Sequence, residues 1–232
     1  MAATRPVLEM LGALADPGAS GLPSTCMDLC VMAEDSVLIE AGDTIQAAEF
    51  ADLCCGLAPL RSGVVRFLGH DWAGASYERA SALRGRIGQV AVENSWINFL
   101  STETNILQQQ LHHTRVPETV LREKAAELSR DFGLPGIPLA RPDRLAFGDL
   151  VRAACVRAFL GDPELLILKS QELEQVGEVW PALLNALAAA RGRRAAAIWI
   201  TASDIVWNDR SIQSTQRLRL TENGLVPARM GS

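Results

Sequence analysis

The feature that most constrains the fold is a set of short runs, almost uninterrupted in apolar residues: "SVLI" (36–39), "GVVRFLG" (63–69), "RIGQVAV" (86–92), "ELLIL" (164–168) and "AAIWIT" (196–201). A strand with one wet face alternates apolar and polar residues. Runs without alternation suit strands covered on both faces by helices, which predicts an α/β fold with a mostly parallel sheet. Between the third and fourth runs, Leu121, Ala125, Leu128 and Phe132 recur at helical spacing in "PETVLREKAAELSRDFG", with Pro117 near the start and Gly133 just past the end. This marks a helical insertion. A second helix, around "EVWPALLNALAAARGR", sets Trp180, Leu183, Leu184 and Leu187 on one stripe, the pattern of a core-facing helix. Asn-Gly inside "LRLTENGLV" predicts a terminal hairpin.

A chain of 232 residues, 48% apolar, can bury a sizeable core in one domain with a subdomain. Its 22 Lys and Arg against 27 Asp and Glu give a net charge of -5, so no general field favours nucleic acid. Cys26, Cys30, Cys54, Cys55 and Cys155 lack paired CxxC spacing and read as buried or inert thiols. His70, His112 and His113 have no Cys or carboxylate companions at ligand spacing, so no metal site is expected. The segment "MAATRPVLEMLGALADPG" is broken by Glu9 and Gly12 and makes a poor signal peptide. No run approaches the roughly 18 apolar residues that span a bilayer.

Three segments carry a resemblance over roughly residues 25–228: "CGLAPLRSGVVRFLGHDW" (55–72), "IGQVAVENSWINFLSTETNIL" (87–107) and "PDRLAFGDLVRAACVRAFLGDPELLIL" (142–168). They resemble the ATP-binding subunits of ABC transporters, with the lipid-trafficking importers of that superfamily as the nearest counterpart. The resemblance implies a P-loop NTPase-like core (25–92 and 160–228) with an antiparallel β subdomain, a helical subdomain (93–159) and an N-terminal extension (1–24).

The family's chemistry does not follow. A phosphate loop needs glycines so that backbone N–H groups wrap the phosphates, a Lys for the β/γ oxygens, and a hydroxyl for Mg²⁺. The matching stretch is "AGDTIQAAEF" (41–50), in which Ala47 falls at the Lys position, Ala48 at the hydroxyl position, and Thr44 and Gln46 at glycines. Lys169 and Ser170 replace the two acids that end the family's Walker B strand, one holding Mg²⁺ and one polarising water. Val92 matches the Q-loop Gln, and Ala202 or Ser203 the switch His. The family's signature motif becomes Leu145-Ala146-Phe147-Gly148-Asp149. Positions that bear the fold, such as Gly56, Gly63, Gly69, Gly88, Gly148 and Arg152, stay as the family has them.

The expectation is therefore a pseudo-ATPase: no catalytic residue, weak or no ATP and Mg²⁺, no metal. It would serve as a structural or regulatory subunit of a membrane transport complex, at the cytoplasmic face of the inner membrane. Its partners would be an integral-membrane permease and a second cassette, either another copy or an intact ATPase, and not nucleic acid. The family docks its permease near the Q-loop, where Trp96, Phe99 and Leu100 are the candidate anchors, with core anchoring as the alternative. Lys169 has three fates: an internal pair with Glu49, Asp43 or Asp52, a snorkelling exposed ammonium, or capture of a small anion. The competing functions are an unorthodox ATP-binding or ATP-hydrolysing subunit and a soluble scaffold.

Overall fold

A computed structural model describes residues 5–16, 21–92 and 95–228, apart from the side chain of Glu172. Residue 93, the expected start of the helical segment, and Asn94 lie outside them. Five parallel strands and one antiparallel neighbour form the main sheet, in the order β10-β9-β3-β8-β7-β6. They are β3 (Ser36–Glu40), β6 (Ile87–Val90), β7 (Leu165–Lys169), β8 (Ala196–Thr201), β9 (Gln216–Thr221) and β10 (Gly224–Pro227). The uninterrupted runs have a direct cause. Leu165, Ile167, Ile198 and Ile200 face one core, whereas Leu166, Leu168 and Trp199 face the other. The Asn223-Gly224 turn closes the β9–β10 hairpin, with Gly224 at φ +88°.

A second sheet, ordered β2-β1-β4-β5, is antiparallel and joins β1 (Leu8–Ala15), β2 (Met27–Val31), β4 (Leu60–Phe67) and β5 (His70–Asp71). Residues 8–15, expected within an N-terminal extension, are thus an inner strand of this sheet. Between the two sheets lies α1 (Thr44–Cys54), whose Phe50, Ala51 and Leu53 are buried in their shared core. On the other face of the main sheet pack α3 (Thr102–His113), α4 (Glu118–Asp131), α5 (Phe147–Phe159) and α7 (Trp180–Gly192). Ser76 and Ser101 cap the N-termini of α2 (Tyr77–Arg84) and α3. Short helices α6 (Ser170–Glu174) and α8 (Asp204–Asn208) follow β7 and β8 directly.

Parallel strands put their carboxyl ends on one edge, so α1, α6 and α8 all start there. Helix α5 runs back towards the start of β7, with Ala158 O beside Gly88 near the start of β6. Its own N-terminus therefore lies at that same carboxyl edge.

All five cysteines are free: Cys54, Cys55 and Cys155 are buried, while Cys26 and Cys30 are exposed. Burial pushes the Cys55 and Cys155 thiols up to about 12, which makes them poor nucleophiles. Among the described residues no cluster of His, Cys, Asp or Glu could hold a metal, and no helix is long and apolar enough to cross a membrane.

Candidate functional site

The N-terminus of an α-helix leaves its first N–H groups without partners, which makes it a natural anion site. At α1 one of those groups, the N–H of Gln46, is taken by the chain itself. Asp43 is the N-cap, extended at φ -156°, and its Oδ1 accepts the N–H of Gln46 at 2.7 Å. Gln46 Oε1 accepts the N–H of Gly42 at 2.7 Å, while its Nε2 donates to the carbonyl of Gly21 at 3.0 Å. One turn on, Glu49 Oε2 accepts the N–H of Gly21 at 2.6 Å. The backbone at Gly21 thus lies against the first turns of α1, close enough that a Cβ there would meet Glu49 Oε2 at 2.9 Å. The Asp43-x-x-Gln46 spacing is a variant of the capping box. The sequence, which reads Gln46 as a missing glycine and Asp43 and Glu49 as possible partners of Lys169, does not show this cap.

Beside this turn is a cavity of about 270 Å³, lined by Ile45, Ala47, Ala48, Glu49, Asp52, Lys169, Ser170, Ile200 and Ala202, among others. Five of the sequence-selected positions are therefore brought together: Ala47, Ala48, Lys169, Ser170 and Ala202. Ser170 Oγ donates to Thr201 Oγ1 at 2.8 Å, and Thr201 Oγ1 in turn accepts the N–H of Ser203 at 3.0 Å. Burial pushes the Asp52 carboxyl above its ordinary value, against the pull of Lys169 and with the push of Glu49. Lys169 shares the cavity with both acids. Nevertheless, among the described residues no carboxylate lies within ion-pair distance of its ammonium, so of the three fates the sequence leaves open the internal ion pair is not formed.

The remaining selected residues lie elsewhere. Val92, buried, follows β6. Ala146 is the N-cap of α5 without a side-chain cap bond, and Phe147 at the first position is 41% exposed. Gly148 follows, and Asp149 pairs with Arg152 at 3.1 Å, which also reaches Glu178 at 2.9 Å. The expected docking segment splits. Trp96 packs against the core and stacks on the Arg157 guanidinium at 4.1 Å, whose N–H groups donate to Ser95 O and Ala91 O at 2.6 and 2.8 Å. Asn105 holds both the N–H and the carbonyl of Ile97. Leu100 is partly covered, and Phe99 alone of the anchors is largely exposed, at 75%. Trp96 is therefore an internal strut rather than a free anchor. Nearby, a second cavity of about 270 Å³ opens between β6, α2 and α3, lined by Arg84, Gln89, Gln108, Gln109 and Arg157, among others.

No family model matches the chain. The intermembrane phospholipid transport system ATP-binding protein MlaF of Haemophilus influenzae is 29% identical over 105 residues, which is 45% of this chain and 40% of that protein. The match thus spans less than half of that relative's length. The dimeric bacterial ABC transporter cassette MJ0796 superposes with a TM-score of 0.80 at 14% identity, over 94% of this chain and 96% of the other. cbiO1 from Clostridium perfringens, part of the ABC transporter complex cbiONQ, gives 0.73 at 16%, over 96% and 87%. The fold is that of an ABC transporter cassette.

The residues that this chain places at the start of α1 and the end of β7 do not fit a magnesium nucleotide. A triphosphate at α1 would have to displace Asp43 from the Gln46 N–H and bring its charge to the Asp43 and Glu49 carboxylates. No Lys stands between Ala33 and Leu60 to offset that charge, and the β7 end offers an ammonium where a metal ligand would be needed.

Proposed function

We propose that this chain is a catalytically silent cassette subunit of an ABC-type membrane transport complex that handles lipid-like cargo. It would sit at the cytoplasmic face of the inner membrane, where it fills a subunit position and supplies a docking surface. The observation that carries the reading is the first turn of α1, where Asp43 caps the Gln46 N–H and Gln46 and Glu49 hold the backbone of Gly42 and Gly21 beside it, so that a phosphate there would meet carboxylates and no Lys. The local likeness to MlaF supports a phospholipid-type cargo. A permease segment would enter the groove lined by Arg84, Gln89, Gln108 and Gln109, with Phe99 as an exposed apolar contact.

Calorimetry with Mg-ATP and a phosphate-release assay test this reading. The expected result is no turnover and at best millimolar affinity, because groups for phosphate, metal and water activation are replaced together. Hydrolysis at an ordinary cassette rate that co-purifies with the chain and survives Lys169→Ala would refute it.

A further inference from the structure

We infer that the cavity beside α1 binds a small zwitterion, an α-amino acid with an aliphatic side chain, its carboxylate on Lys169 and its ammonium on Asp52 and Glu49. The inference rests on the proposed function, in which the cavity is free of nucleotide.

Among the described residues three charged side chains line the cavity: Lys169 from the end of β7, and Glu49 and Asp52, three positions apart on one face of α1. All three are half-buried, and the exposed Asp43 and Asp204 stand outside the lining. Opposite charges in one cavity ordinarily close on each other. Here no carboxylate lies within ion-pair distance of the ammonium, nor any cation within that distance of either carboxylate, among the described residues. The two signs are therefore held apart around one space. Glu49 is fixed in its place, since its Oε2 accepts the N–H of Gly21 at 2.6 Å. Burial pushes the Asp52 carboxyl up in spite of the pull of Lys169, with Glu49 adding to the push, so the two acids are short of positive charge.

This arrangement selects among ligand classes. A simple anion on Lys169 would face two carboxylates, and a simple amine on the acids would leave Lys169 without a partner. A molecule with one charge of each sign on neighbouring atoms meets an opposite charge at both ends, which is what partly buried charges require. Ser170 spends its hydrogen on Thr201 Oγ1 at 2.8 Å, so it offers an acceptor to an ammonium rather than a donor to an anion. Much of the remaining wall is apolar: Ile45, Ala47, Ala48, Ile200 and Ala202. Ile45 is 61% exposed at the mouth, and an aliphatic side chain laid against it covers that surface. A dry cavity of about 150 Å³ holds a benzene ring. This one, at about 270 Å³, has space for a branched aliphatic group beside the two charged ones.

The experiment is calorimetric titration of the full chain at pH 7, with thermal shift as a second readout. The probes are L-leucine and L-valine, then 4-methylpentanoate, which lacks the ammonium, and 3-methylbutylamine, which lacks the carboxylate. At least one amino acid should bind saturably with a Kd of about 1 mM or tighter, and each analogue should bind about tenfold more weakly or worse. Lys169→Met and Asp52→Asn should each weaken the amino acid about tenfold or more, with melts to show that both variants fold. The analogues are measured on the unchanged chain, which keeps the test open if Lys169→Met misfolds. No saturable binding of either amino acid, an analogue that binds as tightly, or an affinity unmoved by both variants overturns the inference. Such a failure in a chain that also binds no Mg-ATP overturns it alone, whereas Mg-ATP bound in the cavity overturns the proposed function.

Discussion

Asp43→Ala tests whether the α1 cap is the structural feature described here. The change removes one hydrogen bond, Gln46 N–H to Oδ1 at 2.7 Å, on an exposed residue. Truncated N-caps cost about 1 kcal/mol, within roughly 0.5–2, and a chain of this size melts about 2–4 °C lower per kcal/mol. Asp43→Asn keeps an acceptor and loses only the charge at the helix end, a few tenths of a kcal/mol. Gln46→Ala removes the bonds to Gly42 N–H and Gly21 O, at 2.7 and 3.0 Å. At about 1 kcal/mol net per neutral bond, it should cost about 1–2 kcal/mol. The two side chains close the same turn, so the double variant should lose less than the sum. Thermal melts and urea titrations read these differences, and calorimetry with Mg-ATP should show no gain in affinity, since Ala47, Ala48 and Lys169 are unchanged. A melting point unmoved by Asp43→Ala would refute the cap. Micromolar Mg-ATP binding by the double variant would show that the cap had been hiding a working phosphate site.

Ala47→Lys should not confer hydrolysis in a phosphate-release assay, because parts of one catalytic unit are strongly non-additive and the new ammonium would meet Glu49 and Asp52 in the same cavity. Asp52→Asn should raise the melting temperature near pH 7. The folded carboxyl lies above its unfolded value of 3.8, so its charge opposes folding once the pH passes the folded value, and the gain should vanish below about pH 3.8. Asp209 has the opposite sign: hydrogen bonds from Ser211, then Trp180, hold it below 3.8, so its contribution should fade as pH drops through the folded value and be absent in Asp209→Asn. Trp96→Ser should lower the melting temperature through lost packing on the core and on Arg157, while Phe99→Ser should leave it within the scatter of surface changes. Under the proposed function, Phe99→Ser should instead reduce co-purification with a permease.

The strands of the main sheet were legible because burial on both faces leaves no polar residue to blur the run. The strand β1 was not. Its "LEMLGALA" is interrupted by Gly12 at φ +54°, where the register with β4 shifts, and by Glu9, whose carboxylate is held by Arg66 at 3.0 Å. Both read as breaks in an apolar run, yet both belong to the sheet: a Cβ on Gly63 of β4 would meet Gly12 O at 2.0 Å, so the strands approach as only glycine permits. Trp96 and Phe99 were indistinguishable by composition, because what separates them is a guanidinium 61 positions beyond Trp96, at Arg157. The fate of Lys169 depended on a distance across the cavity that spacing in the sequence does not encode.

Under the proposed function, the hydrogen bonding at the carboxyl edge argues for a site rebuilt rather than decayed. Random loss of phosphate and metal ligands would leave backbone donors without partners, because the groups that once satisfied them would be absent and nothing would select replacements. Here the N–H groups of Gly42, Gln46 and Gly21 each meet a side-chain oxygen, at 2.7, 2.7 and 2.6 Å. Ser170, at the end of β7, is buried and bonded to Thr201. Among the described residues, the buried side-chain polar atoms without a partner are on Ser36, Trp96 and Trp199, none of which lines this cavity. Side chains that satisfy one another so consistently hold the shape of the carboxyl edge, which is what the proposed docking role would require.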